Sequence, residues 1–189
     1  MPALRTNLVR AVAILAALAG PTAAAFGDEA PLIARVRSND GAIRELVERA
    51  RTSSATLNRL VEAVNATDGI VYIEPGRCQQ PGIRSCLMLS VTQSGPHRLL
   101  RIVVDTRRAS QDLAGAIGHE LQHALEVLQD RTVTNSAAMF FFYKTQGRMV
   151  KGIFETDSAI EAGYAVRAEL KQPRVENAAA DRRLALARR

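Results

Sequence analysis

The sequence contains few histidines, few cysteines and no apolar run near its amino terminus that is long enough to cross a membrane. Only three histidines and two cysteines occur among 189 residues. The apolar run at residues 11–19 falls short of the roughly 20 residues that a membrane-spanning helix needs. No cysteine directly follows that run, so a lipid-anchored form is unsupported. A hydrophobic content of 47% excludes a disordered chain and indicates one globular domain.

The amino-terminal segment has the composition of a secretory signal peptide. Arg5 and Arg10 precede the apolar run, and three consecutive alanines at residues 23–25 provide a small-residue cleavage site. We therefore expect residues 1–25 to be a signal peptide, a mature chain that starts near Phe26, and a periplasmic or secreted protein. An uncleaved amphipathic anchor remains the alternative.

The two cysteines, Cys78 and Cys86, lie eight residues apart in a segment rich in proline and glycine, which indicates a loop. In an oxidising compartment such a pair is expected to form a structural disulfide. Metal ligation is the alternative, but zinc sites usually pair cysteines more closely and in two sets.

The net charge of +6 is concentrated at the chain ends. Residues 171–189 contain six basic and two acidic side chains, and no aromatic residue is interleaved among them. This pattern is typical of a solvated extension rather than a nucleic-acid surface. We therefore predict a folded domain at residues 26–171 and a basic tail at 172–189, for which weak contact with membrane or anionic envelope polymers stays open.

The pattern of apolar residues predicts an α+β fold. Two helices come first, one with Ile43, Leu46 and Val47 at helical spacing and one whose apolar stripe begins at Leu57. Residues 70–73, 86–91 and 99–104 then have strand character, and their short connections predict a small antiparallel sheet. Helices follow to the end of the domain.

The helix predicted between residues 110 and 130 contains the residues with the most specific chemistry. His119 and His123 are four residues apart and therefore share one face of a helix, with Glu120 between them. They lie about 160° from Leu121, the centre of the apolar stripe. A metal ion between the two imidazoles is favoured, while exposed histidines, or buried ones bonded to backbone, are the alternatives.

The segment at residues 118–125, with His119, Glu120 and His123 as its H-E-x-x-H residues, resembles the active-site helix of zincin metallopeptidases. The resemblance implies a catalytic Zn²⁺, Glu120 as general base, and a peptide or protein substrate. The metzincin subgroup is excluded, because Glu126 and Gln129 stand where that subgroup has a glycine and a third histidine.

The resemblance then implies a third ligand from a carboxylate, as in gluzincins or aspzincins, and Glu155 is the candidate. On a helix that starts near residue 154, Glu155 lies within about 20° of the inward-facing Val166, whereas Asp157 and Glu161 point away. A carboxylate stabilised at a helix amino terminus is the alternative. Gluzincins often have a second acid four residues after this ligand, but that place is Ala159 here.

The aromatic segment at residues 140–143 is predicted to pack in the core through its three phenylalanines. The alternative is an apolar substrate pocket, with Tyr143 or Tyr164 donating a hydrogen bond to an oxyanion, and for the tyrosines the sequence does not decide between these roles. Zincins bind extended substrate along an edge strand, for which residues 98–105 are the candidate, with a purely structural strand as the alternative.

The overall prediction is an exported zinc metallopeptidase. The competitors are a non-catalytic zinc-binding scaffold and a disulfide-stapled envelope protein without metal.

Overall fold

The computed structural model describes residues 34–107 and 110–172, so the predicted signal peptide and all but the first residue of the predicted tail lie outside the described residues. The described residues form, in chain order, β1 (Val36–Arg37), α1 (Gly41–Ser53), α2 (Ala55–Asn65), β2 (Gly69–Pro75), β3 (Ser85–Leu87), β4 (Thr92–Ser94), β5 (His97–Val104), α3 (Ser110–Gln129), α4 (Ser136–Gln146), β6 (Arg148–Val150), β7 (Ile153–Glu155) and α5 (Asp157–Lys171).

The first two helices form as their sequences predict. The carboxylate of Asp40 caps α1 by accepting the amide N–H of Ile43 at 3.0 Å, and the hydroxyl of Ser54 caps α2 by accepting that of Leu57. The apolar stripes of both helices are buried in the core. Both helices therefore pack against the rest of the domain through the predicted faces.

The main sheet is mixed, in the order β1-β2-β5-β3, with β4 also paired to β5. The α+β prediction is confirmed, and β3 and β4 run antiparallel to β5 as expected. However, β2 runs parallel to β5, because the 21 residues between them are enough to return the chain to the same end of the sheet.

Strand β5 lies inside the sheet, which corrects the prediction that residues 98–105 form a substrate-binding edge. β2 pairs with one side of β5, and β3 and β4 pair with the other. Leu100, Ile102 and Val104 of β5 are fully buried. Their burial drives the strand into the centre of the core, and the edge position next to α3 belongs to β3 instead.

Helix α3 is packed on two sides. Its predicted leucine face is buried against the sheet and α2, and its other side lies against α5. A β-carbon at Gly118 would come within 2.8 Å of the Val166 side chain, and one at Gly115 within 2.3 Å of Arg167. These glycines therefore permit the close approach of the second half of α5 to α3.

The carboxyl end of α3 is held by a buried arginine, Arg98 of β5, which is 1% exposed. Its guanidinium forms a two-bond ion pair with Asp68 at 2.7 and 3.0 Å. It also donates to four main-chain carbonyls at and beyond the helix end, those of Val127, Leu128, Asp130 and Val133. A cation at this position complements the helix dipole and fixes α3 against the sheet.

Candidate metal centre

Three predicted ligands come together at the start of α5. His119 and His123 project from α3, Glu155 ends β7, and one ligand atom from each lies within 4.8 Å of the others. The Oε2 atom of Glu155 is 3.1 Å from Nε2 of His119 and 3.6 Å from Nε2 of His123. This group could hold a metal ion.

The residues fit a cation because two of their polar atoms are otherwise left unsatisfied. Among the described residues, neither Nε2 of His123 nor Oε2 of Glu155 has a hydrogen-bond partner, although both atoms are buried. Buried polar atoms without partners are rare and costly in native proteins. A metal ion between them would give both atoms a ligand bond.

The electrostatics of the group also favour a cation. Burial alone would lower the pKa of His123, but the carboxylates of Glu126, Glu155 and Glu120 outweigh it and raise that pKa to about 9. Burial would likewise raise the pKa of Glu155, yet the two neighbouring imidazoles lower it to about 2. The site therefore surrounds His123 with negative charge, which a bound cation would balance.

Glu155 reaches this position on a β-hairpin and not on a helix, as the sequence prediction assumed. Helix α5 begins at Asp157 with Thr156 as its N-cap. Lys151 and Gly152, with φ of 51° and 82°, form the turn between β6 and β7. The glycine at the second turn position is the sequence signal for this hairpin, which the helical interpretation missed.

A carboxylate that sequence reasoning did not assign, Glu126, lies behind His123. Its Oε2 is 3.3 Å from Nδ1 of His123, and its Oε1 accepts hydrogen bonds from Thr156 at 2.8 Å and Gln122 at 3.3 Å. The sequence feature that could have identified Glu126 is its position three residues after His123, because side chains at that spacing are neighbours on a helix. A carboxylate therefore lies directly behind one of the two imidazoles, although position 159, four residues after Glu155, is an alanine.

Glu120, the predicted general base, is buried and 5% exposed. One oxygen accepts the hydroxyl hydrogen of Ser85 at 2.8 Å, and the other accepts the amide N–H of Leu87 at 2.7 Å. Met88 bonds inward to β5, so by alternation the Leu87 amide is on the outward edge of β3. The carboxylate is therefore held between α3 and the edge strand.

These residues line a cleft of about 410 Å³. One wall is the segment from Gln79 to Ser90, which includes β3, and the floor is the histidine side of α3. The opposite wall consists of α4 and the β6–β7 hairpin, through Phe140, Tyr143, Met149 and Phe154. The lining is mostly apolar, and its polar side chains are those of the metal group, Glu120, Gln79, Gln80, Ser85 and Ser90.

The aromatic segment differs from the prediction, because Phe140 and Phe141 are 41% and 62% exposed. Helix α4 is apolar around much of its circumference, and its core-facing positions are taken by Met139 and Tyr143, four residues apart. Phe140 consequently faces the cleft and Phe141 is exposed to solvent, and Phe142 alone of the three packs partly against the core. The core prediction is wrong for Phe140 and Phe141.

The two tyrosines occupy different environments. Tyr143 is buried, and its hydroxyl donates to the main-chain carbonyl of His123 at 2.7 Å, so its only hydroxyl hydrogen is already used. Tyr164 is 65% exposed on α5 and is not among the described residues that line the cleft. Neither hydroxyl is therefore placed as the oxyanion donor that the sequence suggested.

Cys78 and Cys86 form the predicted disulfide, with their Cα atoms 6.0 Å apart. It joins the loop before β3 to β3 itself, and so fixes one wall of the cleft. A disulfide indicates an oxidising, exported compartment. Among the described helices, none is both long and apolar enough to cross a membrane.

Comparisons with known proteins give no relative for this chain. No protein-family model, no curated protein and no solved structure matches it. Its function can therefore be inferred only from the chemistry of the site.

Proposed function

We propose that this protein is an exported zinc metallopeptidase, a hydrolase that cleaves peptide bonds in peptide or protein substrates. The observation that supports this proposal most is that His119, His123 and Glu155 lie close together. Two of their buried atoms, one on His123 and one on Glu155, have no hydrogen-bond partner among the described residues. Glu120, which directly follows His119 on α3, lines the same cleft. This combination resembles the gluzincin arrangement.

The ligand set favours zinc. Two imidazoles and one carboxylate form a common catalytic zinc site, with a fourth position for water or substrate. Zinc bound there would lower the pKa of a water molecule and polarise the substrate carbonyl. His119, His123 and Glu155 would hold the ion.

Glu120 is the general base in this proposal. It would accept a proton from the attacking water and then donate it to the leaving amine nitrogen. Its hydrogen bonds from Ser85 and Leu87 restrict the carboxylate to the cleft side of β3. The chain thereby orients the proton acceptor before substrate arrives.

An extended peptide fits the shape of the cleft. The edge strand β3 forms one wall, and its outward main-chain groups, apart from the Leu87 amide that Glu120 already binds, would pair with a substrate strand along the metal group. Leu89, Phe140 and Met149 expose apolar side chains around the same cleft. We infer that substrate segments with apolar side chains bind best.

The proposed location is the periplasm or the exterior of the cell. The predicted signal peptide at residues 1–25 and the disulfide both support export.

Non-catalytic metal binding, as in a scaffold protein, is the second candidate. One observation favours it: both oxygens of Glu120 already accept hydrogen bonds, and neither Tyr143 nor Tyr164 presents its hydroxyl as an oxyanion donor. Each Glu120 oxygen keeps a second lone pair that can accept a hydrogen bond from water, so the placement of the two tyrosine hydroxyls is the stronger part of this observation.

The proposal is tested by zinc content and by one substitution. Purified protein should contain one zinc ion per chain by elemental analysis, and should hydrolyse an unfolded protein or a mixed peptide library. Glu120→Gln should keep the zinc and lose roughly 10²–10⁴-fold in hydrolysis, the usual contribution of a general base. Glu161→Gln, which changes an exposed carboxylate on α5, is the matched control.

Absence of zinc would contradict the site, and unchanged hydrolysis in Glu120→Gln would contradict the mechanism. Stoichiometric zinc without any hydrolysis would favour the scaffold.

A further inference from the structure

We propose that Glu126 and Thr156 are positioning residues that orient the His123 imidazole toward a metal ion. This inference rests on the metal site of the proposed function, but not on peptide hydrolysis. It concerns residues that the H-E-x-x-H motif does not include, one on α3 and one at the start of α5.

Glu126 determines which nitrogen of His123 is free to bind a metal. Oε2 of Glu126 is 3.3 Å from Nδ1, and both side chains are largely buried, with 14% and 5% exposed. A metal ion binds the neutral imidazole, which has a single N–H, and a carboxylate acceptor favours the location of that hydrogen on Nδ1. The lone pair then lies on Nε2, the nitrogen that faces Glu155 and has no hydrogen-bond partner among the described residues.

Thr156 in turn holds Glu126. Its hydroxyl donates to Oε1 of Glu126 at 2.8 Å, while the hydroxyl oxygen accepts the amide N–H of Ala159 at 3.2 Å as the N-cap of α5. The hydroxyl hydrogen therefore points away from the helix and toward the carboxylate. Because one oxygen of Glu126 is bound to Thr156 at 2.8 Å, and at the longer distance of 3.3 Å to Gln122, the other oxygen is kept facing His123.

The position of Thr156 in the sequence links two ligands. It directly follows Glu155, so one dipeptide provides the third ligand and also fixes the carboxylate behind the second. Displacement of the start of α5 would thus disturb Glu155 and His123 together. Support of this kind behind a ligand typically affects metal affinity by about 10–100-fold.

A purely structural role is the competing explanation, in which Glu126 and Thr156 only join α3 to α5. The two roles differ in what they predict for zinc affinity measured well below the unfolding temperature. A structural link would change the melting temperature but leave the affinity of the folded protein for zinc unchanged. A positioning role would change the affinity itself.

The experiment measures zinc affinity of the full chain by competition with a chromophoric chelator. Glu126→Ala and Thr156→Val should each weaken zinc binding by roughly 10–100-fold. Thr156→Ser keeps the hydroxyl and should stay within about threefold of the parent protein, because its two hydrogen bonds are retained.

Asn135→Ala is the control for lost capping. Asn135 caps α4 through its side chain, and it has no contact with Glu126 or His123 among the described residues. This substitution should cost helix stability much as Thr156→Val does, about 1 kcal/mol. It should leave zinc affinity unchanged.

The outcomes separate the two proposals. Zinc affinity that is unchanged in both Glu126→Ala and Thr156→Val overturns the positioning role, even if the protein is a peptidase. Weakened affinity, with rescue in Thr156→Ser, supports it even if no peptide is cleaved. A parent protein that binds no zinc overturns this inference and the proposed function together.

Discussion

Replacement of Arg98 by alanine should be among the most destabilising single changes in the domain. The guanidinium is 1% exposed and forms hydrogen bonds of 2.6–3.1 Å to Asp68 and to four main-chain carbonyls near the end of α3. Alanine would remove this donor from all four carbonyls; that of Asp130 keeps the amide N–H of Val133, whereas the contacts to the other three are buried. The same change would remove the positive charge that faces Asp68.

The magnitude follows from the burial of each acceptor. A buried acceptor left unsatisfied costs about 1–3 kcal/mol, and three of the four carbonyl contacts are buried. Asp68 is 39% exposed and can be partly rehydrated, so loss of its ion pair adds little. A loss of about 4 kcal/mol is expected, within the range for breaking a buried charged pair. Such a loss is a large share of the 5–15 kcal/mol by which domains are typically stable.

Urea unfolding followed by circular dichroism measures the effect. The midpoint for Arg98→Ala should fall by roughly 2 M with an unchanged slope. Arg98→Lys should lie between the parent and alanine, because an ammonium group cannot reach Asp68 and the helix end at once. Arg101→Ala is the control on the same strand, since Arg101 is 55% exposed and 4.0 Å from Glu74, and it should cost less than about 1 kcal/mol. A loss below about 1 kcal/mol in Arg98→Ala would refute the anchoring role.

Three further predictions concern pH, metal and redox state. The hydrogen bonds from Arg98 lower the pKa of Asp68 below its unfolded value, so the stability that Asp68 contributes is present above about pH 4 and is lost as pH falls further. The gap in urea midpoint between the parent and Asp68→Asn should therefore shrink on acidification from pH 7 to 2.5; a constant gap would contradict this. Zinc at a hundredfold excess over its Kd should add about 2.7 kcal/mol and raise Tm by roughly 8–10 °C, and a chelator should reverse the shift. The same shift in a His119→Ala/His123→Ala double variant would place the zinc elsewhere. Cys78→Ser with Cys86→Ser should cost about 2.5 kcal/mol by the loop-closure relation for cysteines eight residues apart, and an unchanged urea midpoint would show that the bridge adds no stability.

The features that could be predicted from the sequence are those fixed by residues close together in the chain. The caps at Asp40 and Ser54, the buried face around Leu121 and the disulfide all depend on spacings of a few residues. Helical periodicity and capping act over that same range, so the pattern and the structure agree.

The features that could not be predicted depend on residues far apart in the chain. Strand direction is one example: the segments at residues 70–73 and 99–104 have the same apolar pattern whether they pair parallel or antiparallel. The role of β3 as the edge strand follows from the position of β5 between its neighbours. The exposure of Phe140 depends on which face of α4 meets the core, and an almost wholly apolar helix gives no periodic signal for that face.

Glu155 shows how chemistry can identify a residue when the local structure is wrong. It was predicted from its angle on a helix, yet it ends a strand, and the angle has no bearing on its position. A buried carboxylate nevertheless needs a partner of opposite charge, whether it lies on a strand or on a helix. In the folded chain both imidazoles approach its Oε2 without hydrogen-bond geometry, so this requirement is met by proximity to His119 and His123 and would be met more fully by a cation. The need for charge balance, which does not depend on whether the residue lies in a strand or a helix, is therefore the physical reason to place a metal at this site.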